Sequence, residues 1–259
     1  MAVEIPKSLA DLPTTNPRFV GKAVNRVEDP QLLTGRTEFI DNVTLSGMLH
    51  CAILRSPHAH ARITPIDVSE AQKLPGVVAN VTGEDAKRWS QRITTVPENW
   101  GAHCLAPDKV RYVGEPVAAV AASNRYVAED ALELITVDYE PLPAVVDATS
   151  AAAPNSPLIF EELGSNVMLQ RVFTWGDVDA AFGAADQVFT EKFRWNRLGA
   201  NPLETFGVIS QWDTVDGNLT CHGSFQSQYH MGLGTAAALG LPSNKVRMIS
   251  QPHGGSFGG

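Results

Sequence analysis

Hydrophobic residues in the first half of the chain follow two alternating patterns, short apolar runs and helix-like spacing. The apolar runs are typical of strands buried in a sheet, and they predict strands at residues 48–54, 61–66, 77–82, 110–113, 116–121 and 136–139. Helical spacing of apolar positions predicts a helix at 67–74, capped by Asp67 or Ser69, and one at 124–134, capped by Ser123 or Asn124. Polar residues predict ordered coil at 21–41 and a polar insertion at 84–108. Two successive strand-helix-strand units predict an α+β domain of the split β-α-β type.

The second half begins after a stretch of linker composition. Residues 148–157 consist of Ala, Ser, Thr, Asn and Pro, which is typical of a connection between domains. We predict an N-terminal arm at 1–20, a first domain at 21–147, the linker at 148–157 and a second domain at 158–259. The same patterns then predict strands at 167–175, 187–195, 205–212 and 245–250, and helices at 178–185 and 227–241. The turn signal Asp216-Gly217-Asn218 predicts a hairpin.

A glycine-rich segment directly follows the last predicted strand. Gly254-Gly255-Ser256-Phe257-Gly258-Gly259 contains four glycines in six residues, and glycine permits positive φ angles and close approach of a ligand to the backbone. From the residues alone a tight turn is favoured over ligand contact, because glycine-rich strings are common in turns. The segment is not a phosphate-binding P-loop, since no Lys followed by Ser or Thr comes after it.

Composition narrows the functional classes. The 259 residues are 44% hydrophobic and 19% charged, which is typical of a globular protein with one large or two smaller domains. A formal net charge of -8 and a pI of about 5.3 argue against nucleic-acid binding, because no cluster of Lys and Arg offers a phosphate-binding surface. The first residues lack a signal-peptide pattern and no apolar stretch is long enough to span a membrane, so we predict a cytoplasmic location.

The three cysteines, Cys51, Cys104 and Cys221, are widely separated and form no CxxC pair. This spacing indicates neither a disulfide framework nor a zinc site. We predict that all three are buried and act as small hydrophobic residues.

Several short motifs, taken in order, resemble a known family. They are Asp29-Pro30 with Leu33-Thr34-Gly35, Leu54-Arg55-Ser56-Pro57-His58-Ala59-His60-Ala61, Val113-Gly114-Glu115-Pro116-Val117-Ala118, Val137-Asp138-Tyr139-Glu140-Pro141-Leu142-Pro143, Pro202-Leu203-Glu204, Ser224-Phe225-Gln226-Ser227 and the glycine segment. Over roughly residues 20–259 the sequence resembles the N-terminal part of the molybdopterin-binding large subunit of the xanthine oxidase, aldehyde oxidase and aerobic carbon monoxide dehydrogenase family. The resemblance implies an α/β hammerhead domain, followed by the first part of a molybdenum-cofactor-binding domain.

The same resemblance implies a molybdenum-dependent oxidoreductase. Family members oxidise a carbon centre with water as the oxygen source and pass electrons to 2Fe-2S and FAD centres, which here would lie in an iron-sulfur subunit and an FAD subunit. The implied cofactor is a molybdenum-molybdopterin, with its nucleotide form left open, and the full assembly would be a dimer. In this family the pterin dithiolene holds the metal, so no residue of the chain is expected to bind molybdenum directly.

Five residues match the cofactor site of that family. Gln226 matches the glutamine that hydrogen-bonds an oxygen ligand of molybdenum, a role that suits an amide able to donate and accept. The run Gly255-Ser256-Phe257-Gly258 matches the loop that crosses above the metal, where backbone N–H groups can contact the cofactor. The general base of the family is a glutamate further toward the C-terminus, so the resemblance assigns no catalytic residue here. We therefore expect the chain to be a truncated fragment or one piece of a split subunit, inactive alone and partnered by the C-terminal half of the large subunit.

Two other interpretations stay open at this point. One is a non-catalytic assembly or interaction module of a larger complex, and the other is a nucleotide-phosphate binder that uses the glycine loop. Glu204 is the acid of the second domain that most invites a catalytic role, and we interpret it as a structural residue that orients a loop near the pterin site. The substrate is left open, because the resemblance places the residues that select it mostly beyond position 259.

Overall fold

The computed structural model describes residues 19–93 and 96–258. The chain divides into two compact units, Met1–Glu38 and Phe39–Gly259, and the predicted arm at 1–20 lies almost entirely outside the described residues. In the first unit, residues 29–33 form helix α1, Asp29–Leu33, so the prediction of coil is wrong there. Pro30 accounts for the difference, because the φ angle of proline suits the first helical turn and its missing N–H is not needed there.

Six strands in the first part of the second unit form two three-stranded sheets among the described residues. The strands are β1 His50–Arg55, β2 Ala61–Asp67, β3 Val77–Thr82, β4 Lys109–Val110, β5 Pro116–Ala122 and β6 Thr136–Pro141. One sheet has the order β1-β5-β3 and the other β4-β2-β6, with every pairing antiparallel. Each sheet contains strands from both of the predicted strand-helix-strand segments, so these two segments are interleaved in space. The α+β class is confirmed, although the fourth strand is shorter than predicted.

Strand β5 contributes to two hydrophobic clusters, because successive side chains of a strand point to opposite faces of the sheet. The helices nearby are α2 Ser69–Lys73, α3 Gly83–Trp89 and α4 Arg125–Glu133. Val120 packs with Ala71 of α2 and Ala131 of α4 in one cluster. Val117 packs with Val110 in the other cluster. The predicted helix at 124–134 is confirmed, together with its Asn124 cap.

Two helix starts differ from the prediction. The polar insertion predicted at 84–108 begins instead with α3, whose N-cap Thr82 exchanges hydrogen bonds with Asp85 in a capping box. A Thr followed three residues later by an acid is a recognised start signal for a helix, and it was missed. Neither Asp67 nor Ser69 caps α2, because Ser69 already belongs to the helix and the cap position falls on Val68. The Asp67 carboxylate instead accepts a hydrogen bond from the Ser69 N–H at 2.9 Å.

The connection to the second half is ordered by a single asparagine. The short helix α5, Ala148–Ala151, begins at the Asp147 cap. The Asn166 side chain donates to the carbonyl oxygens of Ala151 at 3.1 Å and of Pro157 at 2.9 Å, and it accepts from the Ile159 N–H at 2.9 Å. These bonds fold the chain back on itself across the predicted linker. The boundary at 148–157 itself stays a prediction.

Residues 167–200 carry large apolar side chains but form no strand in the described structure. Helix α6, Val178–Ala184, confirms the predicted helix, whereas the strands predicted at 167–175 and 187–195 are wrong. A strand requires a neighbouring backbone that pairs with its N–H and C=O groups, and the described residues supply none here. Five aromatic side chains of this stretch, and Phe206 shortly after it, are between 64% and 89% exposed. The five are Phe173, Trp175, Phe189, Phe193 and Trp195.

A third sheet carries the C-terminal part of the described chain. Its elements are β7 Val208–Asp213, β8 Asn218–Gly223, α7 Gln228–Leu239 and β9 Val246–Ser250. Strands β7 and β8 form the predicted hairpin, whereas β8 and β9 are parallel and joined through α7. Leu219, Cys221 and Phe225 form the buried cluster beneath this unit. The predicted hairpin, helix and last strand are confirmed.

The cysteine prediction is correct only for Cys221, which is buried, while Cys51 and Cys104 are exposed. Cys51 lies in β1, where burial alternates along the strand and every second residue faces outward. No helix among the described residues is both long and apolar enough to cross a membrane.

Candidate cofactor site

Three segments of the chain meet at one edge of the β7-β8-β9 sheet. Strands β8 and β9 are parallel, so Gln226 after β8 and Gly254 after β9 lie at the same edge. Strand β7 is antiparallel to β8, so the residues that lead into β7, including Glu204, reach this edge as well. Sheets with parallel strands generally bind ligands outside the carboxyl ends of those strands. This edge is therefore the candidate site.

Gln226 holds the glycine loop through its side-chain carbonyl. Its Oε1 accepts hydrogen bonds from the Ser256 hydroxyl at 2.5 Å and from the Gly258 N–H at 3.0 Å. Because a backbone N–H can only donate, the amide atom that faces Gly258 must be the oxygen. Both hydrogen bonds that the described structure gives this side chain fall on Oε1. The exposed Gln226 therefore keeps its Nε2 as a donor for a ligand.

The loop after β9 adopts backbone conformations that favour glycine. The φ angles are +112° at Gly255 and +89° at Gly258, and Phe257 between them has a φ of +50°. The Phe257 ring folds back over Gly255, where an added Cβ would lie 2.7 Å from the ring. Phe257 is nonetheless 75% exposed. The loop therefore presents bare backbone next to an exposed aromatic ring.

The first residue of the loop is held by an acid from a different segment. Glu204 Oε2 accepts a hydrogen bond from the Gly254 N–H at 2.6 Å. The other carboxylate oxygen, Oε1, is buried and has no hydrogen-bond partner within the described part of the chain. The loop is thus fixed at its entry by Glu204 and further along by Gln226.

Helix α7 begins two residues after Gln226 and adds further donors. Ser227 is its N-cap residue, but the Ser227 hydroxyl pairs with His230 Nδ1 at 2.8 Å and not with a backbone N–H. The first N–H groups of a helix have no acceptor within the helix, and the positive end of the helix dipole lies there. Backbone donors therefore stand beside the Gln226 side chain, an arrangement that suits an anionic or oxygen-rich ligand.

The chemistry of the site is that of hydrogen-bond donation. Within residues 19–93 and 96–258, no group of three or more His, Cys, Asp or Glu side chains could hold a metal ion. The donors present are Gln226 Nε2, the backbone of the glycine loop and the start of α7. These residues fit a molybdenum-pterin group, which carries the sulfur ligands of its own metal and presents oxygens and a phosphate as acceptors.

Two stretches of the chain match known domains. Residues 34–143 match the α/β hammerhead domain of aldehyde oxidase and xanthine dehydrogenase, and residues 159–259 match the molybdopterin cofactor-binding domain. The chain belongs to the aldehyde oxidase and xanthine dehydrogenase family. The second match contains Glu204, Gln226 and the glycine loop, so all parts of the candidate site lie within the cofactor-binding domain of this family member.

Curated relatives extend over most of the chain. The carbon monoxide dehydrogenase large chain of Afipia carboxidovorans is 38% identical over an alignment of 246 residues that covers 90% of this chain and 30% of that protein. The nicotine 6-hydroxylase large subunit of Paenarthrobacter nicotinovorans is 34% identical over an alignment of 251 residues that covers 95% of this chain and 31% of that protein. The chain thus spans about 30% of the length of these relatives.

Solved structures of the family have the same fold. Quinoline 2-oxidoreductase from Pseudomonas putida 86 matches with a TM-score of 0.82 and 36% identity, over 92% of this chain and 31% of its own. The Cu,Mo carbon monoxide dehydrogenase matches with a TM-score of 0.79 and 37% identity, over 92% of this chain and 32% of its own. The hammerhead domain followed by a molybdopterin-binding domain is therefore the architecture of this chain.

The structure brings most of the predicted site residues together. Gln226 contacts Ser256 and Gly258 directly, and Phe257 lies against Gly255. Their contacts with a cofactor stay a prediction. The bond from Gly254 to Glu204 could not be read from spacing, because fifty positions separate the two residues. The available signal was the position of Glu204 ahead of a strand that runs antiparallel to β8.

Proposed function

We propose that the chain is part of the molybdopterin-binding large subunit of a molybdenum oxidoreductase. The complete enzyme oxidises a carbon centre with water as the oxygen source, and its electrons leave through 2Fe-2S and FAD centres in an iron-sulfur subunit and an FAD subunit. The observation that carries this proposal is the hydrogen-bonded pairing of Gln226 with Ser256 and Gly258 at the carboxyl edge of parallel strands. It occurs inside the region that matches the molybdopterin-binding domain.

Each part of the site has a distinct task in this proposal. When bound, the molybdenum-pterin group supplies the redox and oxygen-transfer chemistry. Gln226 uses Oε1 to hold the loop and Nε2 to donate a hydrogen bond to an oxygen of the cofactor. The backbone N–H groups of the loop and of the start of α7 bind its anionic groups. Phe257, which is exposed in this chain, covers the cofactor and limits the access of water.

The rest of the large subunit completes the site. The aromatic side chains between 167 and 207, such as Phe193 at 86% and Trp195 at 89%, are largely exposed, and groups of exposed large apolar side chains mark interaction surfaces. We propose that the C-terminal half of the large subunit covers them and supplies the catalytic glutamate. The two predicted strands of this region would pair there, because their sequence has strand character without a partner among the described residues. A cytoplasmic location and a dimeric assembly stay predictions.

A pair of substitutions separates the two tasks of Gln226. Glutamate at this position keeps an oxygen that accepts from the loop but loses the Nε2 donor, whereas alanine loses both. In the complete subunit with its partners, Gln226→Glu is expected to retain the loop geometry but to lose pterin and molybdenum content. Gln226→Ala is expected to lose both. The exposed Gln72 of α2, replaced by alanine, serves as the matched control.

Molybdenum by mass spectrometry and pterin by fluorescence after oxidation are the measurements. If the wild-type assembly contains neither molybdenum nor pterin, the chain is a non-catalytic assembly module. Its exposed apolar side chains would then explain how it binds its partners. If both Gln226 variants retain wild-type molybdenum and pterin, the assignment of Gln226 to the cofactor is wrong, even where the wild-type assembly binds it.

A further inference from the structure

The Glu204 carboxylate makes a specific contact with the glycine loop. Its Oε2 lies 2.6 Å from the Gly254 nitrogen, a short distance that is typical of a hydrogen bond from an N–H to a charged acceptor. Among the described residues this is the only hydrogen bond of the carboxylate, because Oε1 is buried without a partner there.

Gly254 lies so close to Glu204 that a side chain at position 254 would not fit. A Cβ added at Gly254 would lie 2.7 Å from Glu204 Cβ and 3.1 Å from the Glu204 nitrogen. Both distances are shorter than ordinary van der Waals contact, so a larger residue would push the loop away from the acid. The φ angle of Gly254 does not require glycine, because Gly254 is not among the described residues with a positive φ. Close approach to Glu204 is therefore the structural reason for glycine at 254.

The two side chains hold different parts of one loop. Glu204 binds residue 254, and Gln226 binds residues 256 and 258. Gly255 and Phe257 lie between these attachments, so their position relative to the Gln226 Nε2 donor depends on both. Loss of the Glu204 contact would leave the loop attached at Gln226 only, and its first residues would be free to move.

We propose that Glu204 is a positioning residue, which sets the placement of the glycine loop over the cofactor by accepting the Gly254 N–H. This inference rests on the proposed function. Glu204 acts through the loop backbone and takes no part in proton transfer. A neutral side chain of the same length that also accepts the Gly254 N–H should therefore replace it, which a role of its negative charge would not permit.

The test compares three variants in the complete, assembled enzyme. Glu204→Ala removes the acceptor, Glu204→Gln keeps an acceptor of the same length, and Gly254→Ala keeps the acid but blocks the approach. Glu129→Ala is the control, because Glu129 is exposed on α4 and its side chain has no hydrogen bond or ion pair among the described residues. Circular dichroism and subunit composition first establish that each variant is folded and assembled.

The readouts are hydrogen exchange of the Gly254 amide and the electron paramagnetic resonance spectrum of Mo(V). Glu204→Ala and Gly254→Ala are expected to accelerate the exchange about tenfold or more and to broaden or shift the Mo(V) signal. Glu204→Gln is expected to restore both toward wild type, and Glu129→Ala to change neither.

The inference is overturned if Glu204→Ala leaves the exchange and the Mo(V) signal unchanged. It is also overturned if Glu204→Gln behaves like Glu204→Ala, since the charge or the second oxygen would then be the essential feature. Failure of the proposed function is distinguishable from both outcomes. In that case the wild-type enzyme gives no Mo(V) signal at all, while the hydrogen exchange of Gly254 still reports on the contact with Glu204.

Discussion

Replacing Gln226 with alanine is predicted to open the glycine loop locally. The substitution removes the acceptor of two hydrogen bonds, from the Ser256 hydroxyl and the Gly258 N–H. A hydrogen bond between neutral groups contributes about 0.5–1.5 kcal/mol net, so the pair contributes about 1–3 kcal/mol. Because Gln226 is exposed and water can replace it, we expect the lower end, about 1–1.5 kcal/mol. The population of the open loop should then rise roughly five- to tenfold.

Hydrogen exchange of the Gly258 amide measures this opening. The large subunit is prepared without cofactor, so that contacts with the cofactor do not mask the effect. Exchange at Gly258 should become roughly five- to tenfold faster in Gln226→Ala and should stay unchanged in the control Gln72→Ala. Gln226→Glu should behave nearly as the wild type, since it keeps an acceptor. Equal exchange at Gly258 in wild type and Gln226→Ala would refute the role of this side chain in holding the loop.

Three further predictions concern the hammerhead domain, with its unfolding followed by hydrogen exchange. Val120→Ala should lower the free energy of unfolding by about 2–3 kcal/mol, because the Val120 side chain is fully buried. Val146 is 91% exposed and should tolerate alanine. Equal effects of the two substitutions would contradict the assigned core. Gly83→Ala should cost more than about 2 kcal/mol, because its Cβ would meet the Ala106 carbonyl oxygen at 2.0 Å; a neutral result would show that this close approach is relaxed. Burial raises the pKa of the Glu115 carboxyl, so its contribution to stability is present at low pH and is lost as the pH rises through the raised pKa. Glu115→Gln should remove that part of the pH dependence, and a wild-type minus variant difference that is flat with pH would contradict it.

The local elements were largely predictable because their signals are local. Helix α4 combines helical spacing with an Asn124 cap, and the β7-β8 hairpin has the turn residues that such a connection needs. Helix α3 carries a local signal too, the capping box of Thr82 and Asp85. The strands predicted at 167–175 and 187–195 failed for a physical reason. An apolar pattern of this kind predicts a strand that needs a neighbouring strand to pair with. It does not show whether the chain itself supplies that neighbour.

The candidate site was predictable only in part. The resemblance to the family indicated Gln226 and the loop from 255 to 258, and the structure brings Gln226 into contact with Ser256 and Gly258. Which atom of the Gln226 amide faces the loop depends on the arrangement of donors in space. The bond between Glu204 and Gly254 depends on the topology of β7, β8 and β9, which places residues from distant parts of the sequence at one edge. The orientation of the Gln226 amide leaves no pattern in the sequence, and the signal for the Glu204 contact is the position of Glu204 ahead of a strand that runs antiparallel to β8.

The most direct test of the central claim is the molybdenum and pterin content of the large subunit, purified in its assembled complex. If Gln226 holds both the loop and the cofactor, the wild type should contain stoichiometric molybdenum and pterin. Gln226→Glu should lose most of both, while its hydrogen exchange at Gly258 stays near that of the wild type. An assembled wild-type complex that contains no molybdenum or pterin would contradict the claim.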